Sequence, residues 1–170
     1  MARLLSNACE LVIYRKQARF HWVPLAWVTT LFLLIIVLWW QLFRVGQTLE
    51  EWQFLDFGLA TVLTLPLFVA SVLFLPNRWD EKNVDLFEYF IEHGKWGVGA
   101  YMSFFILAIP ANYRLFGSAI FSTNTIWIAA LVSAAMCTML SRSKVMVGVW
   151  SGIFVALQIS NILFVLFPSY

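Results

Sequence analysis

The chain has little of the charge that a water-soluble domain needs. Charged residues make up only 12% of its 170 residues, whereas hydrophobic residues make up 62%. One soluble core of this size cannot bury so much apolar surface, so the composition indicates a membrane protein. A formal net charge of +2 is too small for a nucleic-acid-binding surface. An aromatic content of 18% excludes a disordered tail, because unfolded segments are poor in aromatic residues.

Motifs for catalysis and metal binding are also lacking. The two cysteines, Cys9 and Cys137, form no CxxC motif and indicate no disulfide framework. GxSxG, HExxH and glycine-rich phosphate-loop motifs do not occur. We therefore expect no catalytic residues, no cofactor and no enzymatic activity. The N-terminal region lacks a signal-peptide cleavage site, so the first span is expected to remain as a signal anchor.

Five long stretches contain no Asp, Glu, Lys or Arg, and each approaches the roughly 20 residues needed to cross a bilayer. Such continuous apolar runs predict helices rather than barrel strands, because lipid offers backbone groups no hydrogen-bond partners. The predicted fold is all-α: a polytopic helix bundle with five transmembrane helices in a single integral membrane domain, 1–170. A cytoplasmic or interfacial segment, 1–21, precedes spans at about 22–43, 57–77, 96–113, 119–140 and 145–167. Short connections predict that the last three spans are antiparallel neighbours.

A further amphipathic helix is predicted at about 83–93, lying on the cytoplasmic interface. Apolar and acidic residues there recur at helical spacing on two different faces. The apolar set is Val84, Phe87, Phe90 and Ile91, and the acidic set is Asp85, Glu88 and Glu92.

The distribution of basic residues predicts the orientation. With the N-terminus inside, nine of the eleven Lys and Arg residues fall on the cytoplasmic side, and only Arg44 and Arg114 fall on the other. The C-terminus, at Tyr170, is therefore predicted outside.

Small residues follow one another at four-residue steps in two of the spans. The fifth span carries Gly148, Gly152, Ala156 and Ser160, and the fourth carries Thr125, Ala129, Ser133 and Cys137. Small side chains let helix backbones approach closely in lipid, so both stripes are predicted helix-packing surfaces. Packing of the fourth span on the fifth and self-association of the protein both fit this pattern.

The polar residues inside the spans are neutral, which argues against a proton-coupled carrier. Asn112, Gln158 and Asn161, together with Thr125, form a candidate polar path. Interhelical hydrogen bonding is the alternative role for Gln158 and Asn161.

His21 and His93 precede the first and third spans, on the same predicted face. Imidazole and carboxylate are suitable ligands, so a haem or a metal site with Glu88 or Glu92 is chemically feasible. The pair lacks HxxxH or HxxE spacing, however, and headgroup hydrogen bonding is the simpler interpretation. We expect no metal site.

The order of landmarks in the first hundred residues resembles a group of small, mainly bacterial, multi-pass membrane proteins of uncharacterised function. The residues that carry this resemblance are the basic stretch Arg15–Arg19, then Trp22–Pro24, Trp27, Trp39–Gln41, Glu51–Trp52, Phe54, Leu65–Pro66, Leu75–Pro76, Asp85–Leu86, Tyr89–Phe90, Lys95–Trp96 and Gly99. The resemblance implies a bacterial inner-membrane location and no particular activity.

Two functional hypotheses follow from these observations. The first is a non-enzymatic membrane protein that acts through helix and lipid contacts, as a subunit, an assembly partner or a self-associating scaffold. Its expected partners are membrane lipid and further copies of itself or other membrane proteins. The alternative is an oligomeric channel or facilitator for a small neutral solute or ion.

Overall fold

The computed structural model describes residues 18–19, 21–48, 53–76, 84–116 and 123–166, most of which are helical. The long helices are α1 (Trp22–Thr48), α2 (Phe54–Leu73), α4 (Lys95–Phe116), α5 (Thr123–Leu140) and α6 (Lys144–Leu166). A one-turn helix, α3 (Leu86–Tyr89), and a π-helical turn (Phe90–Gly94) precede α4. Two-residue strands, β1 (Ala18–Arg19) and β2 (Val84–Asp85), pair in parallel, which the sequence did not predict.

Four of the described helices, α1, α2, α5 and α6, are long and apolar enough to cross a membrane. The chain is therefore an integral membrane protein built from helices. Helix α4 has 22 residues, but glycines, a serine, a proline and an asparagine dilute its apolar character. The part of the predicted 1–21 segment before residue 18 lies outside the described residues.

The five long helices pack around a shared interior. Their main contacts follow the cyclic order α1, α2, α4, α5, α6, and α1 also contacts α4. Helices α5 and α6 are joined by the three residues 141–143, and α4 packs against α5. The prediction that the last three long helices are neighbours is thus confirmed.

One half of the interior is filled by aromatic side chains. Five of them are completely or almost completely buried: Trp27, Phe74, Phe90, Tyr101 and Phe154. Within this aromatic cluster, the Trp27 ring stacks on the Phe154 ring with 4.2 Å between centroids. Trp27 Nε1 donates a hydrogen bond to Ser151 Oγ at 3.0 Å, and Tyr101 Oη donates to the Thr30 carbonyl at 3.1 Å. These bonds join α1 to α6 and to α4.

The predicted interfacial helix at 83–93 is not a separate element in the structure, because residues 86–116 form one continuous helical run. Asp85 caps its start, accepting hydrogen bonds from the backbone N–H groups of Phe87 and Glu88. Phe87 and Phe90 are buried, whereas Glu88 and Glu92 are exposed, so the two predicted faces exist. The apolar face packs against the bundle, where Phe90 joins the aromatic cluster.

One interpretation of the two small-residue stripes was that the fourth span packs on the fifth through them. In the structure, the stripes do not pack on each other along their length. An added Cβ at Gly148 or Gly152 would lie 3.5 or 3.7 Å from the Trp22 ring, which belongs to α1. The glycines of α6 therefore leave room for an indole rather than for the backbone of α5. Further along the stripes, Ala156, Ser160, Ala129 and Ser133 are exposed, and Thr125 and Cys137 are half-buried.

Candidate functional site

The other half of the bundle interior contains a chamber of about 300 Å³. Helices α1, α2, α4, α5 and α6 all contribute to its wall. The wall is mostly apolar, and the Phe105 ring lies where the chamber meets the aromatic cluster, 5.3 Å from the Tyr101 ring and 6.3 Å from the Phe154 ring. The chamber is therefore a cavity at one end of the bundle, floored by aromatic side chains.

Of the described side chains that line the chamber, four are carboxamides, and each comes from a different helix. They are Gln41 of α1, Asn112 of α4, Asn124 of α5 and Asn161 of α6. Gln41, Asn112 and Asn161 lie towards the C-terminal ends of their helices and Asn124 lies at the start of its own, so all four are at the same end of the bundle. A carboxamide both donates and accepts hydrogen bonds and carries no charge. The site can therefore bind a neutral polar molecule.

Gln158 lies between the chamber and the aromatic cluster along α6. It is on the inward row of the helix, four residues after Phe154 and three residues before Asn161. Its side chain is 0% exposed. Neither its Nε2 nor its Oε1 has a hydrogen-bond partner among the described residues.

An ion pair borders the chamber end of the bundle. Arg114 Nε donates to Asp56 Oδ1 at 3.1 Å, and the same guanidinium donates to Gln53 Oε1 at 2.9 Å. The Asp56 carboxylate is buried, whereas about half of the Arg114 side chain is exposed. This contact ties the start of α2 to the end of α4.

A second cavity, of about 1160 Å³, is an apolar groove between α1 and α2. Trp39, Phe43, Phe57 and Phe68 are among its walls. The hydroxyl of Thr61, which also lines the groove, donates to the Phe57 carbonyl of its own helix. Likewise, the Thr64 hydroxyl donates to the Thr61 carbonyl, and the Ser71 hydroxyl donates to the Phe68 carbonyl. These three donors are already used, so the groove suits hydrocarbon.

The two histidines have different neighbours. The His21 ring lies 4.3 Å from the Phe87 ring, and its Nδ1 accepts a hydrogen bond from the Val23 backbone N–H. The His93 ring stacks on the Tyr89 ring at 4.9 Å, and its Nδ1 lies 3.9 Å from Glu92 Oε2. In the part of the chain that the structure describes, no group of three or more His, Cys, Asp or Glu side chains could hold a metal ion.

Burial lowers the pKa of His21 below its ordinary value of 6.5. The nearby Asp85 carboxylate opposes this shift, and the Lys144 ammonium adds to it. The neutral imidazole is therefore the form that suits its position against Phe87.

The structure brings together two members of the candidate polar path, Asn112 and Asn161, and places Gln158 one helical turn from Asn161. Thr125 is half-buried and does not line the chamber. Sequence reasoning missed Gln41 and Asn124. Both are carboxamides inside charge-free apolar stretches, which is the same signal that identified Asn112.

In comparisons with known proteins, no family model, no curated protein and no solved structure matches this chain.

Proposed function

We propose that this chain is a non-enzymatic membrane protein whose chamber binds a small neutral polar solute. The observation that carries the proposal is the convergence of four carboxamides from four helices on one cavity. Placing an amide in an apolar interior costs free energy unless it is hydrogen-bonded. All four are half-buried beside a mostly apolar wall, and a polar molecule bound in the chamber would supply hydrogen bonds to them.

The chemistry of the wall favours a neutral solute over an ion. Among the described residues that line the chamber, none is ionisable. A charged solute would lose its hydration shell without gaining a countercharge, which is costly in a low-dielectric interior. The volume of about 300 Å³ is at the lower limit of ligand pockets, so the solute is small.

Transport across the membrane is the extension of this proposal. The aromatic cluster fills the interior beyond the chamber, so passage requires the stacked Trp27 and Phe154 rings to separate. As the helices are arranged, the chamber lies at one end of the bundle, and a facilitator would alternate with a second arrangement.

The experiment is solute uptake by vesicles reconstituted with the purified protein. Glycerol, urea and acetamide are the neutral probes, and sodium and chloride are the ionic probes. We expect entry of at least one neutral probe, and we expect Asn112→Leu with Asn161→Leu to slow it. Gln47→Leu is the control, because Gln47 is an exposed amide of α1 that does not line the chamber. Absence of both entry and binding for every neutral probe would refute the proposal.

We also propose that α4 crosses the membrane in addition to α1, α2, α5 and α6, which gives five spans. The location that we propose is the bacterial inner membrane, with the N-terminus in the cytoplasm. Basic residues support this orientation, because Lys95, Arg142 and Lys144 lie at one end of the bundle. The chamber then lies towards the periplasmic side. A reporter fused after Tyr170 tests the topology, and a cytoplasmic reporter would contradict it.

The scaffold hypothesis remains a second candidate, supported by the α1–α2 groove and by the exposed small residues of α5 and α6. Lipid or a partner helix would occupy these surfaces. Ala156→Leu with Ser160→Leu tests self-association, because both side chains are exposed and their replacement does not disturb Trp22. A smaller oligomeric mass in lipid nanodiscs is the expected result. An unchanged mass would remove this face as an association surface.

A further inference from the structure

Gln158 is the most deeply buried carboxamide at the chamber end of the bundle, and it is the one with no partner for either polar atom among the described residues. A buried amide without hydrogen bonds destabilises a fold, and native interiors almost always satisfy such groups. Methionine has nearly the same size and would pack there without this cost. The group that satisfies Gln158 is therefore expected to come from outside the chain.

The position of Gln158 shows where that group would come from. One helical turn towards the C-terminus, Asn161 lines the chamber, and one turn in the other direction Phe154 belongs to the aromatic cluster. A residue rises 1.5 Å along a helix, so the Cα atoms of Gln158 and Asn161 are about 4.5 Å apart along the axis. Gln158 does not itself line the chamber and its amide atoms are fully enclosed, so a molecule at the floor of the chamber contacts them once the side chains between them shift.

We propose that Gln158 is the innermost hydrogen-bonding group for the solute and selects a small carboxamide or urea. This inference rests on the proposed function. The Oε1 and Nε2 atoms form an acceptor and a donor side by side on a planar group. A ligand with an adjacent N–H and C=O satisfies both atoms at once, whereas a ketone satisfies only the donor. The Phe105 ring lines the chamber and offers an aromatic surface to a planar ligand.

The test is nuclear magnetic resonance of the side-chain amides in the intact protein in lipid nanodiscs. Gln158→Met assigns the Gln158 resonance, and Gln47→Met is the matched control outside the chamber. Acetamide is the probe, and acetone is its counterpart of similar size without an N–H group. We expect acetamide to shift the Gln158 resonance saturably, and acetone to bind at least tenfold more weakly. Gln158→Met should lose acetamide binding and should unfold at a higher temperature than the wild type without solute.

The outcomes separate this inference from the proposed function. If acetamide shifts the Asn112 and Asn161 resonances but not that of Gln158, the chamber binds solute and the role of Gln158 is refuted. Equal binding of acetamide and acetone, or a Gln158 amide that responds only to exchange with water, would refute it as well. If no chamber residue responds to any neutral probe, the proposed function fails together with this inference.

Discussion

Gly97 of α4 is the position where the packing of the bundle leaves no room for a methyl group. A Cβ added there would lie 2.8 Å from two atoms of the Phe74 ring and 3.2 Å from Leu73 Cβ. Carbon atoms in good contact are about 3.5–4.0 Å apart. The Phe74 ring is fully buried, with the Trp27 ring at 5.8 Å and the Tyr101 ring at 6.3 Å, so it cannot move aside. We expect Gly97→Ala to separate α4 from the end of α2.

The magnitude follows from a matched comparison with Gly99→Ala on the same helix. There the added Cβ would lie 3.5 Å from the flexible end of Met139, an ordinary contact. Both substitutions gain about 1 kcal/mol of helix propensity. Only Gly97→Ala pays the cost of overpacking, about 1–3 kcal/mol. The difference between the two variants is therefore about 1–3 kcal/mol, or roughly 2–4 °C in Tm for each kcal/mol.

The assay is thermal unfolding of the two variants and the wild type in the same detergent, followed by circular dichroism. Gly99→Ala should be at least as stable as the wild type, and Gly97→Ala should have the lower Tm of the two variants. Equal Tm values would show that α2 and α4 do not approach as closely as the structure has them.

Three further predictions concern polar contacts. Ser151→Ala leaves the buried Trp27 Nε1 without an acceptor and should lower the free energy of unfolding by about 1–3 kcal/mol, measured by chemical unfolding in detergent. Asp56→Asn removes the charge that Arg114 pairs with. Since about half of the Arg114 side chain is exposed, we expect a loss of about 1 kcal/mol in the same assay. Because burial lowers the pKa of His21, stability contributed by its neutral form should be present above pH 6.5 and lost as the pH falls below that value. Tm measured against pH should show this loss, and His21→Gln should abolish it.

Each of these predictions has a control that removes the same chemical group elsewhere in the protein. Ser133→Ala removes an exposed hydroxyl that donates to its own helix, and it should be nearly neutral. Glu88→Gln removes an exposed carboxylate, and His93→Gln removes an imidazole on a different surface. The corresponding argument fails if Ser151→Ala is as mild as Ser133→Ala, if Asp56→Asn is as mild as Glu88→Gln, or if His93→Gln changes the pH profile as much as His21→Gln.

The helices and their order could be predicted from the sequence because they depend on runs of apolar residues. Each predicted span overlaps a long helix, and the short connections made α4, α5 and α6 neighbours. The segment at 83–93 was less predictable. Its amphipathic pattern fits either a membrane surface or a protein surface, and the choice depends on tertiary packing of Phe87 and Phe90.

The sequence predicts that neutral amides lie among the apolar spans, but it does not predict which of them line the chamber. An amide in an apolar stretch is visible in the sequence, which is why Asn112 and Asn161 were found. Whether an amide points into the bundle depends on the rotation of its helix, and small residues were a poor guide to that rotation. The stripe of α6 suggested that Gly148 and Gly152 face α5, whereas they face Trp22. Bulky inward residues such as Phe154 report the rotation of α6 better.

Polar contacts between helices hold both halves of the bundle. In lipid the hydrophobic effect does not draw helices together, so packing and polar contacts hold the bundle. Bonds from Trp27, Tyr101 and Lys95 to other elements lie in the half that holds the aromatic cluster. At the chamber end, the Arg114 guanidinium pairs with Asp56 and donates to Gln53, which ties α4 to α2. Polar contacts between helices therefore hold both halves of the bundle, and a solute that occupies the chamber leaves the bonds around the aromatic cluster intact.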